Sequence, residues 1–139
     1  MIVIVDTNAV LGAFTEGHAH RPLLDAWLDG RLTWAVSTEI LLEYEEILAR
    51  CSGRERAAKG LRLIDTMADA GLCRRIVPHF HCRIISADPD DDKFADCAIA
   101  AEAEWIITED AHFNAMKGSG HKPQPITPVE FIARFLPRS

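Results

Sequence analysis

Short apolar runs alternate along the chain with longer stretches in which apolar residues recur every three or four positions. The runs MIVIV, LTWAV and WIIT are rich in β-branched residues and end at polar residues, which is typical of strands buried on both faces of a parallel sheet. RRIVP is predicted as a further short strand. Because parallel neighbours need crossover connections, this alternation predicts an α/β fold with helices on both faces of a parallel sheet.

Capping residues indicate where the predicted helices begin. Ser37 or Thr38 is suited to cap a helix whose apolar stripe runs from Ile40 to Leu48. The S-x-x-E motif at 52–55 predicts a capping box, and T-P-V-E at 127–130 predicts another with proline at the first helical position. The predicted helices cover residues 21–30, 39–51, about 52–71, about 91–104 and 127–135.

Length and composition favour one globular domain. The chain has 139 residues, a common size for a single domain, so we expect one domain over 1–139. Hydrophobic residues make up 48% and charged residues 26%, which excludes a disordered chain. No apolar run is long enough to span a bilayer, and MIVIV lacks the basic start of a signal peptide. We therefore expect a cytoplasmic protein without a membrane partner.

Charge and cysteine content narrow the possible partners. The net charge of −6 argues against a protein held on nucleic acid by bulk positive charge, so any such contact has to be local. Four cysteines without a C-x-x-C pair are typical of reduced thiols in the cytosol. A zinc knuckle built from HFHC at 79–82 and Cys73 is a weak alternative, because its spacing matches no familiar structural zinc pattern.

Acidic residues stand at the carboxyl ends of two predicted strands. Asp6 follows MIVIV, and Asp110 closely follows WIIT. Ligands of parallel sheets bind at these ends, so we expect both carboxylates at one edge of the sheet. Asp96, from the helix before WIIT, and Glu43, from the helix after the second strand, can reach the same edge. Buried carboxylates without partners are costly, and Mg2+ prefers oxygen ligands, so the pattern favours a magnesium site.

These acids also have simpler interpretations. Asp6 can terminate its strand as a turn residue, and Asp90 or Asp91 can cap a helix. For Asp90 and Asp91 we favour the cap. For Asp6, Asp96 and Asp110 we favour the metal site, because all three border apolar segments that are predicted to be buried.

Four separated motifs, in this order, resemble the PIN-domain family: IVDTNAVLGAF, STEILLEYEEIL, DCAIAAEAEWIITED and ITPVEFI. The resemblance covers nearly the whole chain and is nearest to VapC-related toxin components of bacterial toxin-antitoxin systems. It implies a three-layer α/β/α sandwich around a roughly five-stranded parallel sheet. It also implies a ribonuclease that depends on Mg2+ or Mn2+, that is, an endoribonuclease hydrolysing RNA phosphodiester bonds.

The resemblance assigns roles to individual residues. Four acids match the catalytic and metal-binding positions of the family: Asp6, Glu43, Asp96 and Asp110. Asp92, one helical turn before Asp96, is a further candidate ligand because it would share that helix face. Three polar residues match the positions beside the acids: Thr7, Asn8 and Thr108. An ion held there can lower the pKa of a bound water, and Glu43 can ligate a second ion or act as a general base.

Partners and competing functions follow from the same motifs. The resemblance implies an RNA substrate, a cognate antitoxin protein and a homodimer. Lys117 and Lys122, in the loop after Asp110, are expected to contact substrate phosphates. One alternative is a catalytically silent PIN-fold binding module. Another is a receiver-like magnesium-binding signalling domain, which would need an aspartate after the third strand and a lysine after the fifth; RRIVPHF and PITPVEF supply neither.

Overall fold

The computed structural model describes residues 1–78, 92–118, 120 and 122–137. Its centre is one sheet of five strands in the order β3-β2-β1-β4-β5, and every neighbouring pair is parallel. The strands are β1 (Ile2–Val5), β2 (Thr33–Val36), β3 (Cys73–Arg75), β4 (Trp105–Ile107) and β5 (Gln124–Ile126). The predicted α/β fold with a five-stranded parallel sheet is therefore confirmed.

Helices occupy most of the connections. The described helices are α1 (Thr7–Ala13), α2 (Arg21–Leu28), α3 (Thr38–Ser52), α4 (Arg54–Asp69), α5 (Asp92–Ala100), a 3-10 helix (Ala111–Met116) and α6 (Pro128–Phe135). Successive residues of β1 point to opposite faces of the sheet, and both Val3 and Ile4 are fully buried. Both faces of the central strand are therefore covered, as a three-layer sandwich requires. Within the described residues, no helix has the length and apolar character needed to cross a membrane.

The strand order creates a switch point between β1 and β4. The chain leaves β1 on the side of β2 and β3, and it returns on the other side of β1 to form β4 and β5. Connections that depart in opposite directions open a crevice at the carboxyl ends of the two strands, where ligands of such sheets bind. Asp6 follows β1 and Thr108 follows β4, so both lie at this crevice. The order also differs from the 2-1-3-4-5 order of receiver domains such as CheY, so the receiver-like alternative is wrong.

Two of the predicted helix caps are confirmed and one is wrong. Ser37 caps α3 by accepting a hydrogen bond from Ile40 N, and Thr127 caps α6 in the same way from Glu130 N. The predicted capping box at 52–55 does not form, because Ser52 is the last residue of α3 and α4 begins after Gly53. Gly53 has a φ of 89°, a conformation that glycine adopts without strain.

Two strands and two helices differ from the sequence prediction. Helix α1 was not predicted, although it begins directly after Asp6. Strand β3 lies slightly earlier than predicted, at Cys73–Arg75 rather than 74–78. Helix α5 ends at Ala100 rather than near 104, because the chain turns at Glu102, which has a φ of 56°. Strand β5 contains a proline, which argues against a central strand, but β5 is an edge strand where proline is tolerated.

Candidate active site

Asp6 is held by groups from both central strands. Its Oδ1 accepts a hydrogen bond from Thr7 N at 2.7 Å, which caps α1, and its Oδ2 accepts one from Thr108 Oγ1 at 2.8 Å. Its own backbone N–H donates to Ile107 O at 3.0 Å. The carboxylate is buried, with 8% of the residue exposed. Both oxygens therefore have fixed positions at the crevice between β1 and β4.

Asp110 is tied to the same threonine. The Asp110 N–H donates to Thr108 Oγ1 at 2.9 Å. Its Oδ1 accepts from His112 N at 2.9 Å and lies 3.3 Å from His112 Nδ1, so this carboxylate caps the 3-10 helix. A single hydroxyl group, that of Thr108, thus links the acid after β1 to the acid after β4.

Glu43 reaches Asp6 through a second threonine. The Thr7 hydroxyl donates to Glu43 Oε2, while Thr7 N donates to Asp6. The other oxygen, Oε1, lies 2.7 Å from Lys93 Nζ on α5. An unbroken series of polar contacts therefore connects six residues across the carboxyl edge of the sheet: Lys93, Glu43, Thr7, Asp6, Thr108 and Asp110.

Tyr44 fixes the helix that carries Glu43. Its side chain is fully buried, and its hydroxyl donates to the backbone carbonyl of Val5, the residue before Asp6. Burial raises the pKa of the phenol well above its usual value, and the negative charge of Asp6 adds to that effect. The phenol therefore stays protonated, and this contact ties α3 to the end of β1.

Asp96 and Asp92 lie on α5, which packs over the central strands. Asp96 is buried, with 5% exposed. It lines a cavity of about 200 Å3 together with Lys93 and with Ser37, which follows β2. Asp92, in the first turn of the helix, is half-buried. The structure thus places Asp96 at the carboxyl edge, on the Lys93 side of the polar series.

Burial and like charge act together on Asp6. Burial raises the pKa of this carboxyl group, and hydrogen bonds from Thr108 and Thr7 oppose the rise. The charges of Glu43 and Asp110 raise the pKa of Asp6 further. Asp6 therefore carries negative charge that its hydrogen bonds only partly offset, which is the electrostatic condition that a bound cation relieves.

The donor types fit a hard divalent cation. Carboxylate oxygens are the ligands that Mg2+ and Mn2+ prefer. As the side chains stand, however, the described part of the chain contains no group of three or more acids, histidines or cysteines placed to hold one ion. The oxygens of Asp6 and Glu43 are instead occupied by threonine and lysine partners. The chemistry of the site therefore fits a cation, and binding one requires the neighbouring carboxylates to turn toward Asp6.

The remaining predicted site residues differ in where they lie. Asn8 is exposed on α1. Lys117 lines a cavity of about 400 Å3 that also includes Asp110. Lys122 lies 3.8 Å from Glu104, whose other oxygen accepts from Ile2 N at the amino end of β1. The prediction that Lys122 belongs to the phosphate site is therefore wrong, because this side chain lies at the opposite edge of the sheet.

Some predictions fall outside the described residues. These are the caps at Asp90 and Asp91 and the HFHC segment. Cys73, the remaining member of the zinc alternative, is a buried free thiol at the start of β3. Burial raises the pKa of this thiol to about 12.

The sequence prediction missed two residues at this edge. Lys93 was not singled out, because its partner Glu43 is remote in sequence and no local spacing connects them. Tyr44 was assigned to the apolar stripe of α3. A signal for Tyr44 did exist, since a buried tyrosine needs a hydrogen-bond partner for its hydroxyl.

The raised pKa of Asp6 predicts a specific pH dependence of stability. A carboxyl group with a raised folded-state pKa contributes stability that is complete below its unfolded value, 3.8, and is lost as the pH rises through the folded-state pKa. Without divalent cations, we expect the wild type to lose stability relative to Asp6→Asn as the pH rises from 3.8 through that window. Urea unfolding of both proteins at several pH values measures this difference. A difference that does not change with pH would contradict it.

Comparisons with known proteins agree with this architecture. The sequence profile of the PIN domain matches residues 2–112. The fold is similar to VapBC2 from Rickettsia felis, solved bound to a DNA fragment from its promoter, with a TM-score of 0.55 and 19% identity over 82% of this chain and 92% of that chain. It is also similar to the sarcin-ricin loop cleaving toxin VapC20 of Mycobacterium tuberculosis, with a TM-score of 0.57 and 14% identity over 86% of this chain and 95% of that one.

At these identities, the two structures show a shared fold. Comparison with curated protein sequences gives no significant match. The sequence profile spans most of the chain, from β1 to the start of the 3-10 helix, and so includes Asp6, Glu43, Asp96 and Asp110. This chain is a member of the PIN domain family.

Proposed function

We propose that this protein is a metal-dependent endoribonuclease that hydrolyses RNA phosphodiester bonds and serves as the toxin of a toxin-antitoxin pair. The observation that carries the proposal is the polar series at the switch point, in which Asp6 is linked to Glu43 and to Asp110 through one threonine on each side. Family membership supports nuclease chemistry. The similarity to VapC20, described as cleaving the sarcin-ricin loop, supports RNA as the substrate.

Asp6, Asp96 and Asp110 are the proposed metal ligands, with Asp92 as a further candidate. They offer the hard oxygen donors that Mg2+ or Mn2+ requires. A divalent cation bound there supplies positive charge that stabilises negative charge developing on the phosphodiester. Asp6 needs that charge, since burial and two neighbouring carboxylates raise its pKa. Thr7 and Thr108 hold the two Asp6 oxygens, so this ligand keeps its orientation.

Substrate contacts are proposed for the cavity beside Asp110. Lys117 and Arg134 line this cavity together with Asn114. Arg134 also lies over the Trp105 ring, 5.2 Å from its centre, which limits the movement of the guanidinium group. Basic groups next to an acidic site can position phosphates locally although the chain as a whole is negative. We assign Lys117 and Arg134 to this role.

The proposed partners follow from the family. An antitoxin protein that covers the acidic edge and a homodimer of this chain are part of the proposal, as are a single domain over 1–139 and action on RNA in the cytoplasm. A catalytically silent PIN-fold binding module is the second candidate. It is favoured by one observation: in the described residues, no three candidate ligands surround a common point.

A nuclease assay separates the two candidates. Wild type is expected to cleave RNA with Mg2+ or Mn2+ and to lose the activity when EDTA is added. Asp110→Asn removes one proposed ligand and keeps the side-chain shape, so we expect cleavage to fall by at least about 100-fold. Asp29→Asn, an exposed aspartate at the end of α2, is the matched control and should leave cleavage unchanged. Wild-type cleavage no faster than that of Asp110→Asn would leave the binding module as the function.

A further inference from the structure

Lys93 forms a shielded ion pair at the edge of the acidic site. Its ammonium nitrogen lies 2.7 Å from Glu43 Oε1, and the side chains are 15% and 26% exposed. By contrast, both partners of the Arg31–Asp29 pair are more than half exposed. An ion pair that is shielded from water is screened far less than one at the surface. The Lys93–Glu43 contact therefore has a defined position and a strong local effect.

Both carboxylate oxygens of Glu43 have a partner. Oε1 faces Lys93, and Oε2 accepts the hydrogen bond from the Thr7 hydroxyl. Each carboxylate oxygen can accept a further contact, so a divalent ion on Glu43 would either displace Lys93 or bind beside it. Displacing Lys93 would move an ammonium group out of a shielded position, while leaving it in place would put two cations side by side. Both alternatives disfavour a cation at Glu43.

The packing of helix α5 also fixes the position of Lys93. Lys93 lies in the first turn of α5, and its neighbour in the chain, Phe94, is fully buried. Helix α5 packs against α3, which carries Glu43. Lys93 also lines the cavity that contains Asp96, so this side chain is near two of the four acids. A positive charge fixed at this place offsets part of their repulsion without any bound ion.

We propose that Lys93 takes the place of a second divalent cation on Glu43, so that the site binds one divalent ion and Glu43 does not ligate it. Lys93 and Glu43 are then positioning residues: the lysine holds the carboxylate, and the carboxylate holds the Thr7 hydroxyl beside Asp6. The inference rests on the proposed function, because it concerns the same cation site. It replaces the expectation that Glu43 ligates a metal.

The number of bound Mn2+ ions tests this inference directly. Equilibrium dialysis of the full-length chain should give one tightly bound Mn2+ for wild type. Lys93→Met keeps an unbranched apolar stem and removes the charge, so the count should rise from one to two. Lys93→Arg keeps the charge and should restore a count of one. Lys59→Met, at an exposed lysine of α4, is the matched control and should also bind one ion.

A second comparison does not depend on the folding of the Lys93 variants. Glu43→Gln should still bind one Mn2+, whereas Asp6→Asn should bind none. Two ions on wild type, one ion on a folded Lys93→Met, or loss of the ion from Glu43→Gln would each overturn the inference while leaving the nuclease proposal intact. A wild type that binds no Mn2+ and cleaves no RNA would overturn both.

Discussion

Asp6→Asn should lower RNA cleavage by at least about 100-fold while making the metal-free protein more stable at neutral pH. The loss of activity follows from removing the buried charge that orients a cation at the switch point, and changes to such fixed electrostatic groups cost about 100-fold to 1000-fold. The gain in stability follows from the raised pKa of Asp6, because a neutral amide avoids burying a charge beside Glu43 and Asp110. Initial rates on an RNA substrate and urea unfolding in EDTA measure the two effects.

The opposite directions of these effects make the test specific. A mutation that merely damages the fold lowers both activity and stability. Asp69→Asn is the matched control, because this aspartate is exposed at the end of α4, and it should change neither rate nor stability substantially. Full activity of Asp6→Asn would show that the carboxylate is not needed for cleavage. Lower stability of the variant in EDTA would show that the hydrogen bonds of the wild-type Asp6 carboxylate outweigh the cost of burying its charge.

The strands were the most predictable part of the fold, for a physical reason. Strand β1 is buried on both faces, so its sequence is a continuous apolar run, and β2 and β4 are nearly as apolar. Strand β5 lacks this signal, because an edge strand tolerates proline and needs less apolar surface. Helix α1 was not predicted, because its signal depends on a single group, the Asp6 carboxylate. We interpreted this group as a metal ligand, and it is also the cap of the helix.

Only the part of the site that directly follows the strands could be predicted from the sequence. Residues that follow a strand have their position fixed by that strand, so Asp6 and Thr108 could be placed at one edge from the sequence. The positions of Lys93 and Lys122 depend on how remote segments pack. Lys93 comes to Glu43 because α5 packs on α3, and Lys122 comes to Glu104 because β5 lies beside β4. Sequence spacing carries no information about either contact.

A charge balance at the carboxyl edge follows from these contacts. The Thr108 hydroxyl links the acid after β1 to the backbone N–H of the acid after β4, and it orients the Asp6 carboxylate without bringing positive charge. Lys93 brings one positive charge, and the structure places it on Glu43, at one end of the series. The other end, around Asp6 and Asp110, keeps its negative charge. We therefore expect a cation at the switch point between β1 and β4 rather than at Glu43.

Divalent cations should stabilise the folded protein by a large and site-specific amount. A ligand that binds only the folded state, at a free concentration of about 100 times its dissociation constant, stabilises by about 2.7 kcal/mol. For a domain of this size, one kcal/mol moves the melting temperature by about 3 °C, so saturating Mg2+ should raise it by about 8 °C. The physical reason is that the ion relieves the repulsion between the buried Asp6 carboxylate and the charges of Glu43 and Asp110. Thermal unfolding in EDTA and in Mg2+, at matched ionic strength, measures the shift.

The variants determine where that stabilisation arises. Asp6→Asn and Asp110→Asn should each lose most of the Mg2+ shift. Asp69→Asn should keep it, because Asp69 lies at the end of α4, far from the crevice between β1 and β4. Glu43→Gln should also keep it, since the charge of Glu43 is already paired with that of Lys93. An equal shift in wild type and Asp6→Asn would place the ion outside the polar series. No shift in any protein would show that these carboxylates are balanced without a divalent ion.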